Sequence, residues 1–251
     1  GNSYYFQGKL EDANKWYTEL FTMNQPVDTE YYFRYAQTLK AVGDYKKADQ
    51  MMAQFNAKNG TDLRGKLAKS QSDYLAEIKK NSGRYKIEDA GINSKYSDYG
   101  SFVYNNKIYF ASARDTGNFS QRRHKWTGEY YTNIYSAYVD PQNGAVLKAG
   151  KFKTALNTKF HESSPVFTKD GNTVYFTRNN YKSGKRAKNG DKISNLGIFK
   201  AEFVDGKWTN IVSLPFNSDN YSVEHPALSS DEKTLYFSSD MPGTLGSFDI
   251  F

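Results

Sequence analysis

The chain has 251 residues, 38% of them hydrophobic, which is enough to fill the cores of two ordinary domains, and no stretch approaches the roughly 20 apolar residues that would cross a bilayer. It has no cysteine, which excludes disulfides, thiol catalysis and thiolate metal sites and leaves the redox compartment open. The formal charge of +7 is concentrated: residues 114–133 carry net +2 and residues 178–196 net +5, so two segments hold the whole excess and the rest is neutral. A neutral framework argues against nucleic acid as a partner. Aromatic residues, with 21 Tyr and 17 Phe, favour half-buried strands for the bulk of the chain. Gly1 is followed by no charged and apolar leader, so any export signal is expected outside this segment.

Four helices are expected in the N-terminal third. Ala13, Trp16, Tyr17, Leu20 and Phe21 recur with helical period and predict an amphipathic helix. Asp28 and Thr29 offer N-cap oxygens to a second, carried by Tyr32, Tyr35, Ala36 and Leu39 and interrupted at Gly43. Tyr45, Ala48, Met52 and Phe55 make a third, stopped at Asn59 and Gly60. Leu67, Gln71, Tyr74, Leu75 and Ile78 make a fourth, ending before Ser82 and Gly83. Gly8 to Ala13 reappears 35 residues on as Gly43 to Ala48, close to the tetratricopeptide period of about 34.

After Lys86 the pattern changes to short aromatic and β-branched runs bounded by Gly, Asn, Asp and Pro. Ser164 to Arg178 aligns without a gap on His225 to Ser239, with Pro165, Asp170, Thr173, Tyr175 and Phe176 matching Pro226, Asp231, Thr234, Tyr236 and Phe237. A shorter copy, Ser101 to Ser112, keeps Tyr109 and Phe110 but has Phe102 where proline is expected, and no Asp. Each copy predicts two strands joined by a tight turn. A third strand follows at Asn133–Tyr135, Gly197–Phe199 and Asp249–Phe251, and in the second copy Gly206–Trp208 adds a turn and a fourth. Repeated four-stranded units predict β-propeller blades.

The segments from Ser164 and His225 resemble the WD40-like Pro-Asp repeats of TolB-type propellers, and the small-residue pattern around Ala13 and Ala48 resembles tetratricopeptide repeats. The combination is similar to periplasmic OmpA-family proteins of Bacteroidota, a type linked to type IX secretion and gliding machinery. The resemblance implies an α-then-β protein: tetratricopeptide-like helical repeats over 1–80, a linker over 81–94, and the first blades of an incomplete propeller over 95–251. It also implies that the chain begins inside a repeat array and stops within a blade. The implied role is a non-catalytic scaffold in the periplasm, associated with the outer membrane. Its partners would be an outer-membrane β-barrel or secretion and gliding proteins, with peptidoglycan gripped by an OmpA-like domain beyond Phe251. The alternative is the accessory propeller of a hydrolase, or a carbohydrate-binding module.

No nucleophile elbow, phosphate-cradling glycine loop or paired metal-binding histidine motif occurs, so no catalytic residue, cofactor or metal is expected. His124, His161 and His225 lie far apart in sequence, and His161, His225, Glu162 and Glu224 are expected to hydrogen-bond at the start of their strands. The candidate partner-binding residues sit in the two basic segments: Arg122, Arg123, Lys125, Trp126 and Tyr130 in the first, Tyr181, Lys185 and Arg186 in the second. Long loops that mix cations with aromatics are frequent interface elements.

Overall fold

The computed structural model describes residues 1–70, 74–114, 123–124, 128–182 and 185–251, without the side chains of Lys182, Lys185 and Arg186. The chain divides into two compact units, Gly1–Ile87 and Glu88–Phe251. The first is helical and the second is built of antiparallel sheets.

The helical unit comprises α1 (Asn2–Phe6), α2 (Leu10–Thr22), α3 (Thr29–Ala41), α4 (Tyr45–Lys58), α5 (Leu63–Ser70) and α6 (Tyr74–Asn81). From α1 to α5, each helix packs on the next. Asp28 caps α3 by accepting the Glu30 amide at 2.8 Å, and Asp44 caps α4 through the Lys47 amide at 3.1 Å. The core holds Ala13, Tyr17, Tyr35, Ala36, Leu39, Ala48, Met52 and Phe55, as the helical period predicts, whereas Trp16 and Tyr45 of the same stripes are exposed. Gly8 and Gly43 both take left-handed φ values, +72° and +83°, and each ends one helix two residues before the next begins. The 35-residue similarity is therefore a repeated turn.

The fourth predicted stripe behaves differently. Leu67, Leu75 and Ile78 are exposed, and Gln71 lies outside the described residues. The contact with α4 runs instead through Ala68 and Gly65, where a Cβ would stand 3.1 Å from the Asn56 Cα. Two backbones meet there, so small residues make the contact in place of the leucines. Arg64 then ties α5 to α3 by a two-pronged pair with Glu30 at 3.1 and 2.9 Å.

In the second unit, β1 (Asp98–Tyr104), β2 (Lys107–Ser112), β3 (Asn133–Val139) and β4 (Val146–Lys151) form one antiparallel sheet in sequence order. β5 (Glu162–Phe167), β6 (Thr173–Asn179), β9 (Leu196–Val204) and β10 (Lys207–Ser213) form a second, with the small hairpin of β7 (Tyr181–Lys182) and β8 (Lys185–Arg186) inserted. β11 (Val223–Leu228), β12 (Leu235–Ser239) and β13 (Asp249–Ile250) form a third.

The registers superimpose, with Phe102 opposite Tyr109, Val166 opposite Tyr175, and Ala227 opposite Tyr236. All three first strands carry a bulge just before that pair. The bulged residues, Gly100, Ser164 and His225, share left-handed φ values of +63°, +46° and +56°. Pro165 and Pro226 follow directly, on strands paired along one side only, where a missing N–H costs no ladder bond. In the first sheet that place belongs to Ser101. The sequence alignment put Phe102 there because the first turn is shorter, a two-residue Asn105–Asn106 hairpin with both φ values positive.

The matched aspartates have the same task in both turns. Asp170 accepts from the Thr168 hydroxyl at 2.5 Å and the Asn172 amide at 2.9 Å, and Asp231 accepts from the Ser229 hydroxyl at 2.6 Å and the Lys233 amide at 3.2 Å. A second repeated tie was not anticipated. The Asn157 side chain accepts the Ile134 amide at 2.7 Å and donates to its carbonyl at 2.9 Å, and Asn217 does the same to Ile198 at 2.9 and 2.7 Å. These asparagines fasten the chain leaving each fourth strand to the third. Asn217→Ala is expected to cost about 2 kcal/mol, because both backbone groups of Ile198 lose a partner. Urea denaturation measures this, with the exposed Asn220→Ala as a control that leaves the midpoint in place.

The first strands also bring the sheets together, β5 packing on β1 and β11 on β5. Between the first two sheets lies one aromatic core of Tyr109, Phe167, Phe176, Phe199 and Trp208 with Ile134, Leu156 and Val174. Beside it, Glu162 is fully buried, 3.1 Å from Arg178 Nε, and accepts from the Thr158 amide at 3.0 Å and hydroxyl at 2.5 Å. Asp98 holds the equivalent register position in the first sheet and pairs with Arg114 at 2.8 Å.

Candidate basic interface

Both basic segments join the second strand of a sheet to its third, so they leave neighbouring sheets at the same end. Each forms a small hairpin. In the first, Arg123 pairs with Tyr130 in an antiparallel bridge, donates to the Gly128 carbonyl at 3.1 Å and the Tyr130 hydroxyl at 3.2 Å, and stacks 4.7 Å from the Tyr130 ring. Arg122, Lys125 and Trp126 lie outside the described residues. In the second, Tyr181 opposes Arg186 and Lys182 opposes Lys185; the side chains of Lys185 and Arg186 are likewise outside the description.

Tyr181 serves the base of its hairpin. Its ring is stacked between Phe160 and Phe199 at 5.4 Å from each, and its hydroxyl accepts from Arg178 at 3.0 Å. The base of this hairpin is thus an aromatic stack continuous with the core.

Two consecutive residues, which sequence reasoning did not assign to this surface, join the hairpins. Phe160 stacks on Tyr181, while the His161 ring lies 4.4 Å from Tyr131 and 5.3 Å from His124. The His161 amide donates to the Asn179 side chain at 3.0 Å, and its Nδ1 accepts the Thr132 amide at 3.2 Å. The available signal was that His161 falls between the two charged segments.

His124 and His161, distant in sequence, do converge. A backbone N–H can only donate, so the His161 Nδ1 is engaged as an acceptor. Among the described residues no group of three or more His, Asp or Glu side chains is placed to hold a metal ion.

His225 lies elsewhere, in a cleft of about 480 Å³ lined by the three first strands. Its Nδ1 is 2.8 Å from the Ser164 hydroxyl and its Nε2 is 3.7 Å from Glu224. This has the composition of a Ser-His-acid triad without its geometry. The carboxylate is beyond hydrogen-bonding reach of the ring, and the left-handed backbone at Ser164 is shared with Gly100 and His225, so it belongs to the bulge. The contact is a seam between the second and third sheets. Glu224, whose carboxyl is raised by burial, stands one register place on from Glu162, so the two are not equivalent.

Compared with known proteins, the chain matches no protein-family model and no curated protein. Among the described residues no helix is long and apolar enough to cross a membrane.

Proposed function

We propose that the chain is part of a non-catalytic scaffold that captures protein partners on the face bearing its two basic hairpins. The observation that supports this reading is the joining of the two hairpins through Phe160, which stacks on Tyr181, and His161, which lies against Tyr131, within the two segments where the sequence concentrates its positive charge. In this reading the consecutive antiparallel sheets are propeller blades, and the helices around Gly8 and Gly43 are tetratricopeptide-like. Both architectures offer broad surfaces for assembly. The resemblance supplies the setting: the periplasm beside the outer membrane, with a barrel or a secretion or gliding component as partner and peptidoglycan gripped through an OmpA-like domain.

Pull-down from detergent-solubilised envelope, with the full-length protein as bait and mass spectrometry of the captured proteins, tests the reading. Recovery of an outer-membrane barrel or secretion component is expected. Recovery of no envelope protein would remove the scaffold and favour the hydrolase-accessory or carbohydrate-binding alternative.

A further inference from the structure

We infer that the cavity between the β9–β10 hairpin and the chain leaving β4 is a binding site for a small carboxylate with an aromatic body. It encloses about 560 Å³, within the range of small-molecule sites, and shares no lining residue with the cleft at His225. The inference is independent of the scaffold reading.

The fold positions the aromatic part of the lining. Phe203 and Trp208 are directly opposed across β9 and β10, which are joined by an Asp205–Gly206 turn with both φ values positive, and their rings lie 5.0 Å apart at 49°. Trp208 is also held by Phe167 at 5.6 Å, and Phe152 packs edge-on against Tyr109 at 5.2 Å. These contacts exist without a ligand, while 42% of Phe203 stays exposed. A ring entering the cavity would gain aromatic contacts at little cost in ordering the site.

The polar part of the lining selects charge. Lys153 and Lys207 are its charged residues, both exposed, and among the described residues neither has an ion pair or a side-chain hydrogen bond. No acid is among the described residues that line the cavity. The Thr209 hydroxyl and the Trp208 indole N–H also have no partner among the described residues, although Trp208 is only 8% exposed. A buried tryptophan ordinarily gives its N–H to an acceptor, and this N–H is not sealed from solvent. The site thus combines cations and donors with aromatic rings. A carboxylate, which only accepts, matches that set, whereas a neutral sugar would also need acceptors for its hydroxyl hydrogens.

Isothermal titration calorimetry on the full-length protein tests this with hydrocinnamate, its neutral amide and acetate, in low salt because exposed charges are screened. Hydrocinnamate is expected to bind about tenfold more tightly than either. Lys153→Gln with Lys207→Gln should bring the acid to the affinity of the amide and leave the amide unchanged, whereas Phe203→Ala should weaken both several-fold. All three side chains are exposed, so the variants should fold, and an unchanged denaturation midpoint verifies it. No heat from hydrocinnamate at millimolar concentration, equal affinity for acid and amide, or a glutamine pair that keeps the preference would overturn the carboxylate site. Acetate binding as tightly as hydrocinnamate, or Phe203→Ala without effect, would overturn its aromatic part, and methyl glucoside binding more tightly would overturn the ligand class. Acetyl-glycyl-phenylalanine carries the same ring and carboxylate at a chain terminus. Its binding more tightly than hydrocinnamate supports the site as a receptor for a partner's C-terminus, and its binding more weakly supports a free aromatic acid.

Discussion

Arg178→Met is expected to lower the unfolding free energy of the protein by about 3 kcal/mol, the largest loss anticipated for a single charge removed from the sheet unit. The guanidinium is buried, donates to the Leu156 carbonyl at 2.8 Å and the Tyr181 hydroxyl at 3.0 Å, and lies 4.8 Å from the ring of Phe176 and 5.3 Å from that of Phe199. Methionine fills the volume and supplies none of those bonds. Glu162, its ionic partner, is a different case. Burial pushes its carboxyl up to about 7 against the pull of Arg178 and Thr158. A carboxyl raised on folding stabilises fully below its unfolded value of about 4.5, and that contribution is lost as pH rises through 7. Asp98 shows the opposite sign at the equivalent position. Burial opposes its ionisation, but hydrogen bonds from Arg114, Ser112 and Ser94 prevail and hold it at about 2. Its contribution is present above about pH 3.8 and lost as pH falls toward 2. Stability should therefore peak near pH 4 to 5, and Glu162→Gln should flatten the decline between 4.5 and 7. Denaturant titrations across that range decide it: a variant that keeps the wild-type slope would show that Glu162 is not its source.

Phe167→Ala is expected to cost about 3 to 5 kcal/mol and to loosen the seam between the first two sheets. The Phe167 ring lies 4.5 Å from Tyr109, 5.5 Å from Tyr104 and 6.1 Å from Phe102, all on the neighbouring sheet, and 5.6 Å from Trp208 on its own. Truncation leaves a cavity that these rigid rings cannot refill. Near-UV circular dichroism should lose intensity and Trp208 emission should shift to longer wavelength below the global transition. An alanine variant with an unchanged aromatic spectrum would place the seam's strength elsewhere.

The parts of this fold that were legible in the sequence are those in which chemistry and local geometry coincide. Ala13, Tyr17 and Leu39 announce a helix interior because burial follows the 3.6-residue period, and Asp170 and Asp231 announce a turn because their carboxylates bind amides two residues on. Where a contact depends on two backbones approaching, as at Gly65 and Asn56, a stripe of leucines misleads. The basic hairpins were legible as charged insertions and not as hairpins, since Lys-Ser-Gly-Lys has no apolar alternation to betray a strand. Their connection through Phe160 and His161 was hidden because it depends on tertiary placement, as was the meeting of His124 with His161.

The left-handed bulges have a consequence for how such a chain could evolve by duplication. At that position the three sheets carry hydrogen, hydroxymethyl and imidazole in ascending size, and each fits against the next: a Cβ on Gly100 would stand 2.6 Å from the Ser164 hydroxyl, which in turn meets the His225 ring. The modules are alike in backbone and differ in what they present to the next. A copy of the second sheet in place of the first would bring a serine Cβ to 2.6 Å from the Ser164 hydroxyl, so that hydroxyl would have to turn away before the two could exchange places.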